Sequence, residues 1–387
     1  MTTQRPPVRS GLDVLMADPA RLLGGLRVGL ITNHTGRDSS GTPAAQLLAR
    51  APQVRLTALF APEHGFRGLL DDRLADDVDA DTGLTIHSLY GQTLEPTPDM
   101  LDGLDALVFD IQDIGARFYT YISTLSYAMG AAGRAGLRVY VLDRPNPIGG
   151  MAVEGPVLEP ELKSFVGPHE IALRHGMTVG ELAGMFRACF GVACDLTVVP
   201  MEGWRRSMYY EDTGLPWIPP SPAMPSVDAG ICYPGVCLLE PTNVSVGRGT
   251  PSPFEQLGAP WMDGEALAEY LNAAGLPAVR FEAVRFTPAD GARHYPGVEC
   301  GGVRVRVSDR DAFESVRTGL HVVCAIRQLW PDRLELPADR VDRLCGLRAV
   351  REAIEAGQPA AEIEPLLATG MASFRCQRSA HLLYADP

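Results

Sequence analysis

The 387-residue chain is 46% hydrophobic and 21% charged, a balance that excludes disorder, and its length points to two domains rather than one core. The net charge is −13 with no block of Lys or Arg, which argues against nucleic acid and anionic membranes as partners, since both need a positive footprint. The first residues hold no apolar core of signal-peptide length, and no stretch reaches the ~18 apolar residues of a membrane span. As given, the chain reads as cytoplasmic.

In chain order, short β-branched runs fall at 26–33, 54–60, 84–90, 106–110 and 137–143. Ala-rich segments with helical periodicity, such as 42–50 and 124–135, lie between them. A further helix over 178–190, opened by a Thr178/Glu181 capping box, precedes a strand at 194–199. Strands that are apolar on both faces and alternate with helices predict an α/β fold, a doubly wound parallel sheet covered on each side. Residues 211–225 are dense in proline and read as an ordered extended crossing to a second domain. Beyond them the pattern gives a helix over 262–274, strands at 279–286 and 302–307, and helices over 312–329 and 342–355. This is a smaller α+β domain, and the expected division is 10–235 and 236–387. The eight cysteines include two pairs with four residues between, Cys189/Cys194 and Cys232/Cys237, but neither has the His/Cys company of a zinc site. They read as small buried hydrophobes, with no metal and no cofactor expected.

The strand ends carry the polar residues. They are Asn33-His34-Thr35, Glu63-His64-Gly65, Tyr90-Gly91, Asp110-Ile111-Gln112-Asp113 and Asp143-Arg144-Pro145-Asn146. In an open parallel sheet ligands bind beyond the carboxyl ends of the strands, so five such ends on one edge describe a site. No G-x-G-x-x-G turn, no phosphate loop and no G-x-S-x-G elbow is present, which sets dinucleotide enzymes and the usual serine hydrolases aside. Carboxylates, amides, Arg and aromatics remain, an inventory that suits a sugar site worked by two carboxyl groups. Glu63 leads as general acid, because partial burial beside Pro62 raises a carboxyl towards working pH; capping the next segment is its plainer role. Asp110 closes a buried strand, and Glu154 sits in a kinked Val-Glu-Gly-Pro segment that can aim it inward or leave it on a surface turn. Asp113 and Arg117 stand at ion-pair spacing, and Asp143-Arg144 fits a salt-bridged turn as well as a site. His64 and His175 can orient carboxylates or bind hydroxyls, although a lone histidine is more often a structural donor.

Taken together, the strings Ala61-Pro-Glu-His-Gly65, Phe109-Asp-Ile-Gln-Asp-Ile-Gly-Ala-Arg-Phe-Tyr-Thr-Tyr121 and Leu142-Asp-Arg-Pro-Asn-Pro-Ile-Gly-Gly150 resemble the NamZ-like exo-β-N-acetylmuramidases, glycoside hydrolase family 171. Val153-Glu-Gly-Pro-Val157, Arg174-His-Gly-Met-Thr-Val-Gly-Glu-Leu182 and Trp217-Ile-Pro-Pro-Ser-Pro222 extend the likeness over nearly the whole chain. The resemblance implies a Rossmann-like N-terminal domain, a smaller C-terminal domain and a cleft near their junction. It also implies release of N-acetylmuramic acid from the non-reducing end of peptidoglycan fragments, without a cofactor. The family's catalytic glutamate falls on Glu63; Glu154, then Asp110, are the choices for a second carboxylate. Candidate substrate contacts are Asn33, His64, Gln112, Arg117, Tyr119, Arg144, Asn146 and His175. From the second half come Asn243 and Arg248, the latter suited to the lactyl carboxylate because its planar fork makes two parallel bonds.

Three positions depart from the family. Val246 stands where a Glu is usual, Ala223 where an Asn is usual, and 69–77 replaces a Gly/Ala-rich stretch. A related glycosidase for another amino sugar, or a carbohydrate-binding protein without turnover, are therefore the competing expectations.

Overall fold

The computed structural model describes residues 7–68 and 76–385, so most of the divergent 69–77 stretch lies outside the described residues. The first strands are β1 (Arg27–Thr32), β2 (Arg55–Ala61), β3 (Asp77–Val78), β4 (Thr85–Ser88), β5 (Ala106–Asp110) and β6 (Arg138–Leu142). A short antiparallel hairpin follows, β7 (Glu154–Val157) with β8 (Ala172–Arg174), and then β9 (Asp195–Val199). The large sheet runs β3-β4-β2-β1-β5-β6-β9, parallel throughout except for the antiparallel edge strand β3. Numbered along the chain, the six parallel strands stand in the order 3-2-1-4-5-6. That is the doubly wound Rossmann order, and its direction reverses between β1 and β5.

Alternation along each strand fills both faces. Val28, Leu30, Val108, Tyr140 and Leu142 pack on one side with Leu12 and Leu15 of the helix Gly11–Ala17 and Leu48 of the helix Ala44–Arg50. Ile31, Leu107, Phe109, Val139 and Val141 pack on the other with the helices Tyr121–Ala135 and Val179–Cys189. This is why the strands read as unbroken apolar runs. The Thr178/Glu181 capping box is formed, each side chain accepting from the other's amide (3.3 and 3.0 Å).

The second half holds an antiparallel sheet of β10 (Gln256–Ala259), β11 (Val279–Phe286) and β12 (Cys300–Val307), in the order β10-β12-β11. Its apolar face is continuous with the core on the second side of the large sheet. The helices Val227–Val236 and Ser315–Leu329 meet through bare backbone, since a Cβ on Gly319 would stand 2.3 Å from the Gly235 carbonyl oxygen. One expected helix is in fact two. The segment 342–355 breaks into Ala338–Cys345 and Arg348–Glu355 at Gly346, whose φ of 89° ends the first. A side chain there would strike the Arg117 guanidinium at 2.4 Å. All eight cysteines are free and five are buried. Among the described residues no helix is long and apolar enough to cross a membrane.

Candidate active site

The loops after β1 and β5 flank the switch point and are tied together. Asn33 Oδ1 accepts from the Thr35 amide (2.9 Å) and hydroxyl (2.6 Å), which folds the first loop back on itself. The same Thr35 hydroxyl accepts from the Gln112 amide (3.0 Å), and Gln112 Nε2 donates to the carbonyls of Asp113 and Pro145 (both 2.8 Å). Buried polar atoms of these loops that meet no protein partner include Asn33 Nδ2, Gln112 Oε1 and Asp113 Oδ1, and with them His34 Nδ1, Arg117 Nε and the Tyr119 hydroxyl. Folded proteins leave few such atoms unpaired, and a group of them at a switch point suits polar ligand atoms or water.

Glu63 stands half-buried on the turn after β2. His64 has φ 68° and Gly65 φ 73°, so two successive left-handed residues turn the chain sharply beyond it, a strained arrangement for a histidine. The Thr120 hydroxyl donates to Glu63 Oε2. Thr120 occupies the N-cap of the helix Tyr121–Ala135 but caps nothing, its hydroxyl being turned to Glu63. Tyr121 donates to the Pro220 carbonyl (2.6 Å) and His34 Nε2 to the Pro219 carbonyl (2.7 Å). These two bonds lay the proline-dense segment over the strand-end loops. The Tyr119 hydroxyl lies beside the Ser221 and Tyr121 side chains, in the field of both Asp113 and Glu63. Burial first, and those two negative charges with it, keep it a neutral phenol.

Other expected site residues are committed elsewhere. Arg144 makes two bonds to Asp110 (2.6 and 2.8 Å) and a third to the Arg37 carbonyl (2.9 Å). Glu154 takes Arg174 on one oxygen (2.6 Å) and the Val316 amide on the other (3.0 Å), pinning the β7–β8 hairpin to the first turn of the helix Ser315–Leu329. The two choices for a second carboxylate thus have both oxygens engaged, and the structure assigns them to the scaffold. Arg117 makes no ion pair with Asp113. It is wholly enclosed and donates to the carbonyls of Pro156, Ile171, Leu344 and Cys345 (3.1, 3.2, 2.8 and 3.0 Å). The last two end the helix Ala338–Cys345, whose negative dipole end stands in for a counter-ion. Asn146 bridges the Met177 carbonyl (2.9 Å) and the Ile148 amide (3.2 Å), which makes it another scaffold residue.

His175 is fully buried, and its Nδ1 accepts from the Met177 amide (3.1 Å), so its proton sits on Nε2, 3.8 Å from Asp113 Oδ2. Burial, reinforced by Arg378, Arg117, Arg174 and Arg206, pushes it down to about 3 and keeps it neutral. In the second half, Arg248 pairs with Glu240 (2.6 Å) and lies 5.2 Å over the Phe254 ring. Phe254 meets Tyr233 edge-on (4.7 Å), and Tyr233 meets Tyr119 (5.9 Å), so an aromatic row joins Arg248 to the surroundings of Glu63. Asn243 instead holds the Arg333 carbonyl (2.8 Å) and the Glu335 amide (3.0 Å). Val246 is a core residue and takes no part in the polar set; Ala223 is buried in the same core. Among the described residues no three His, Cys, Asp or Glu side chains gather as metal ligands.

Sequence reasoning passed over Thr120, Ser221 and the distinct position of Asp113. A threonine at a helix start reads as a cap, and only the fold shows that its hydroxyl is aimed across to another loop.

The family profile described as exo-beta-N-acetylmuramidase NamZ, N-terminal, matches residues 28–228, and its C-terminal counterpart matches 231–384. The chain belongs to the NamZ family. It is 46% identical over 386 residues to the peptidoglycan beta-N-acetylmuramidase NamZ of Bacillus subtilis (strain 168), covering 99% of this chain and 93% of that one. Two crystal structures of DUF1343 family proteins from Bacteroides fragilis NCTC 9343 share the fold. One superimposes with a TM-score of 0.92 at 37% identity, over 98% of this chain and 100% of the other. The second gives 0.80 at 33% identity, over 99% and 100%.

Proposed function

We propose that this NamZ family member is an exo-acting glycoside hydrolase that removes N-acetylmuramic acid from the non-reducing end of peptidoglycan fragments. One observation supports this above the others: Glu63, held by Thr120, stands with Tyr119 beside a switch point whose Asn33, Gln112 and Asp113 keep polar atoms unpaired. Thr120 engages Oε2, so Oε1 is the oxygen to carry the reacting proton. Glu63 protonates the glycosidic oxygen as the bond to the anomeric carbon breaks. Asn33 and Gln112 offer an amide donor and an amide acceptor to the sugar's hydroxyl and acetamido groups, and His64 and Tyr119 border the same space. Arg248, at the far end of the aromatic row, takes the lactyl carboxylate. We assign 10–235 to the catalytic domain and 236–387 to the wall that brings Arg248. The acidic surface fits a soluble sugar fragment better than a polyanion.

The test is hydrolysis of a chromogenic β-N-acetylmuramide, beside the matching β-N-acetylglucosaminide, by the wild type and Glu63→Gln. Turnover of the muramide, reduced about 10²–10⁴-fold in the variant, is expected. A folded wild type that turns over neither sugar would overturn the reading in favour of a binding protein, and preference for the glucosaminide would reassign the substrate.

A further inference from the structure

Most glycoside hydrolases work with a pair of carboxyl groups, and the two partners for Glu63 that the sequence favours are both engaged. Asp110 is clamped by Arg144, and Glu154 by Arg174 and the Val316 amide. Asp113 differs on each count. It lies in the loop after β5, at the switch point, where a ligand is received. Its Oδ2 accepts from the Gly115 amide (2.8 Å), which fixes the carboxyl plane, while Oδ1 meets no protein donor although the residue is only 4% exposed. No cation pairs with it. Its ionisable neighbours include the neutral His175, 3.8 Å away, and the neutral Tyr119, whose hydroxyl stands in the field of both Asp113 and Glu63. One phenol therefore borders two carboxyl groups, Glu63 and Asp113, that no arginine holds among the described residues.

Resting on the muramidase reading, we infer that Asp113 is the second carboxyl of the reaction, the base that acts opposite Glu63. As the oxygen of an attacking water bonds to the anomeric carbon, Asp113 takes up the proton that the water sheds. The glycosidic bond breaks in the same step, and its oxygen leaves with the proton from Glu63. Exchange with solvent then returns the proton from Asp113 and restores the one on Glu63, so the net change is addition of one water across the bond. His175 is a positioning residue: with Nδ1 occupied by the Met177 amide, its Nε2–H is directed to the Asp113 side. Burial pushes the Asp113 carboxyl up to about 7 against the pull of the Gly115 and Ile114 amides, which suits a base working near neutral pH.

The experiment compares wild type, Asp113→Asn and Glu63→Gln on β-N-acetylmuramides with a good (nitrophenyl) and a poor (sugar) leaving group. Loss of a base slows both substrates alike, so Asp113→Asn should lower kcat by about 10²–10⁴-fold on each with KM little changed. Glu63→Gln should be slowed further on the poor leaving group than on the good one. Asp113→Asn within tenfold of wild type would overturn the inference while leaving the muramidase reading intact; a wild type inactive on every muramide would remove that reading first. A second readout needs no variant: NMR of the first sugar released by wild type should show the α-anomer, because direct displacement inverts a β-linkage. A β-anomer released first would overturn the role given to Asp113.

Discussion

Asp110 and Asp113 lie three residues apart, yet the first has both oxygens bound by Arg144 and the second keeps one oxygen unpaired. Asp110 is the last residue of β5, in register with Thr32 of β1, and faces the buried guanidinium from the loop after β6. Asp113 lies beyond the strand, where the loops on either side of the switch point part. The same division runs through the whole sheet edge. Glu154–Arg174, Glu181–Arg206 (2.6 Å) and Arg117 among its carbonyls fasten segments distant in sequence. Glu63, Asn33, Gln112 and Asp113 form the open set. Carboxylates at strand ends thus divide into fasteners and candidates for the reaction according to whether their oxygens are already answered, and residue type alone does not tell them apart.

That division is sharpest when tested at its two aspartates. Asp110→Asn leaves the buried Arg144 charge without its carboxylate and should cost about 3–5 kcal/mol of stability, read from urea unfolding at pH 7, with turnover per folded molecule largely kept. A stable but inactive Asp110→Asn would move Asp110 into the chemistry and erase the contrast. Asp113→Asn should act in the opposite sense. The folded pKa of Asp113, about 7, lies above its unfolded value, so its contribution to stability is fully present at low pH and is lost as pH rises through 7. The variant escapes that loss. It should exceed wild type at pH 8 by on the order of 3 kcal/mol, the gap closing towards pH 4. An equal or lower stability at pH 8 would show that the carboxylate is compensated where it stands. The smallest effect belongs to the far end of the aromatic row. Arg248→Lys keeps the charge but loses the planar fork, and should raise KM for the muramide about tenfold with kcat nearly unchanged. An unchanged KM would confine Arg248 to its pair with Glu240.

The sheet was legible before any coordinates because its strands carry apolar residues on both faces, and only a sheet covered on each side has a use for that. Helix limits were less legible where a single glycine decides them, as at Gly346, whose break is enforced by Arg117 from far away in the chain. Glu63 stood out as a candidate because it follows an apolar strand and a proline at the edge where ligands bind. Thr120, Asp113 and the scaffold roles of Glu154 and Arg117 were not, since each depends on what stands across from it.

The sequence by itself determined the alternation of strands and helices, the edge at which polar residues collect and the family, and it singled out Glu63 as a candidate. All of these are written in local pattern, in periodicity and in residue strings read within one segment. Only the tertiary structure decided which carboxylates are free, because an ion pair such as Arg144–Asp110 or Arg174–Glu154 joins residues 34 and 20 positions apart. Burial makes that choice consequential: in a dry interior a partnered charge is inert scaffold, whereas an unpartnered carboxyl is costly to ionise and ready to take a proton.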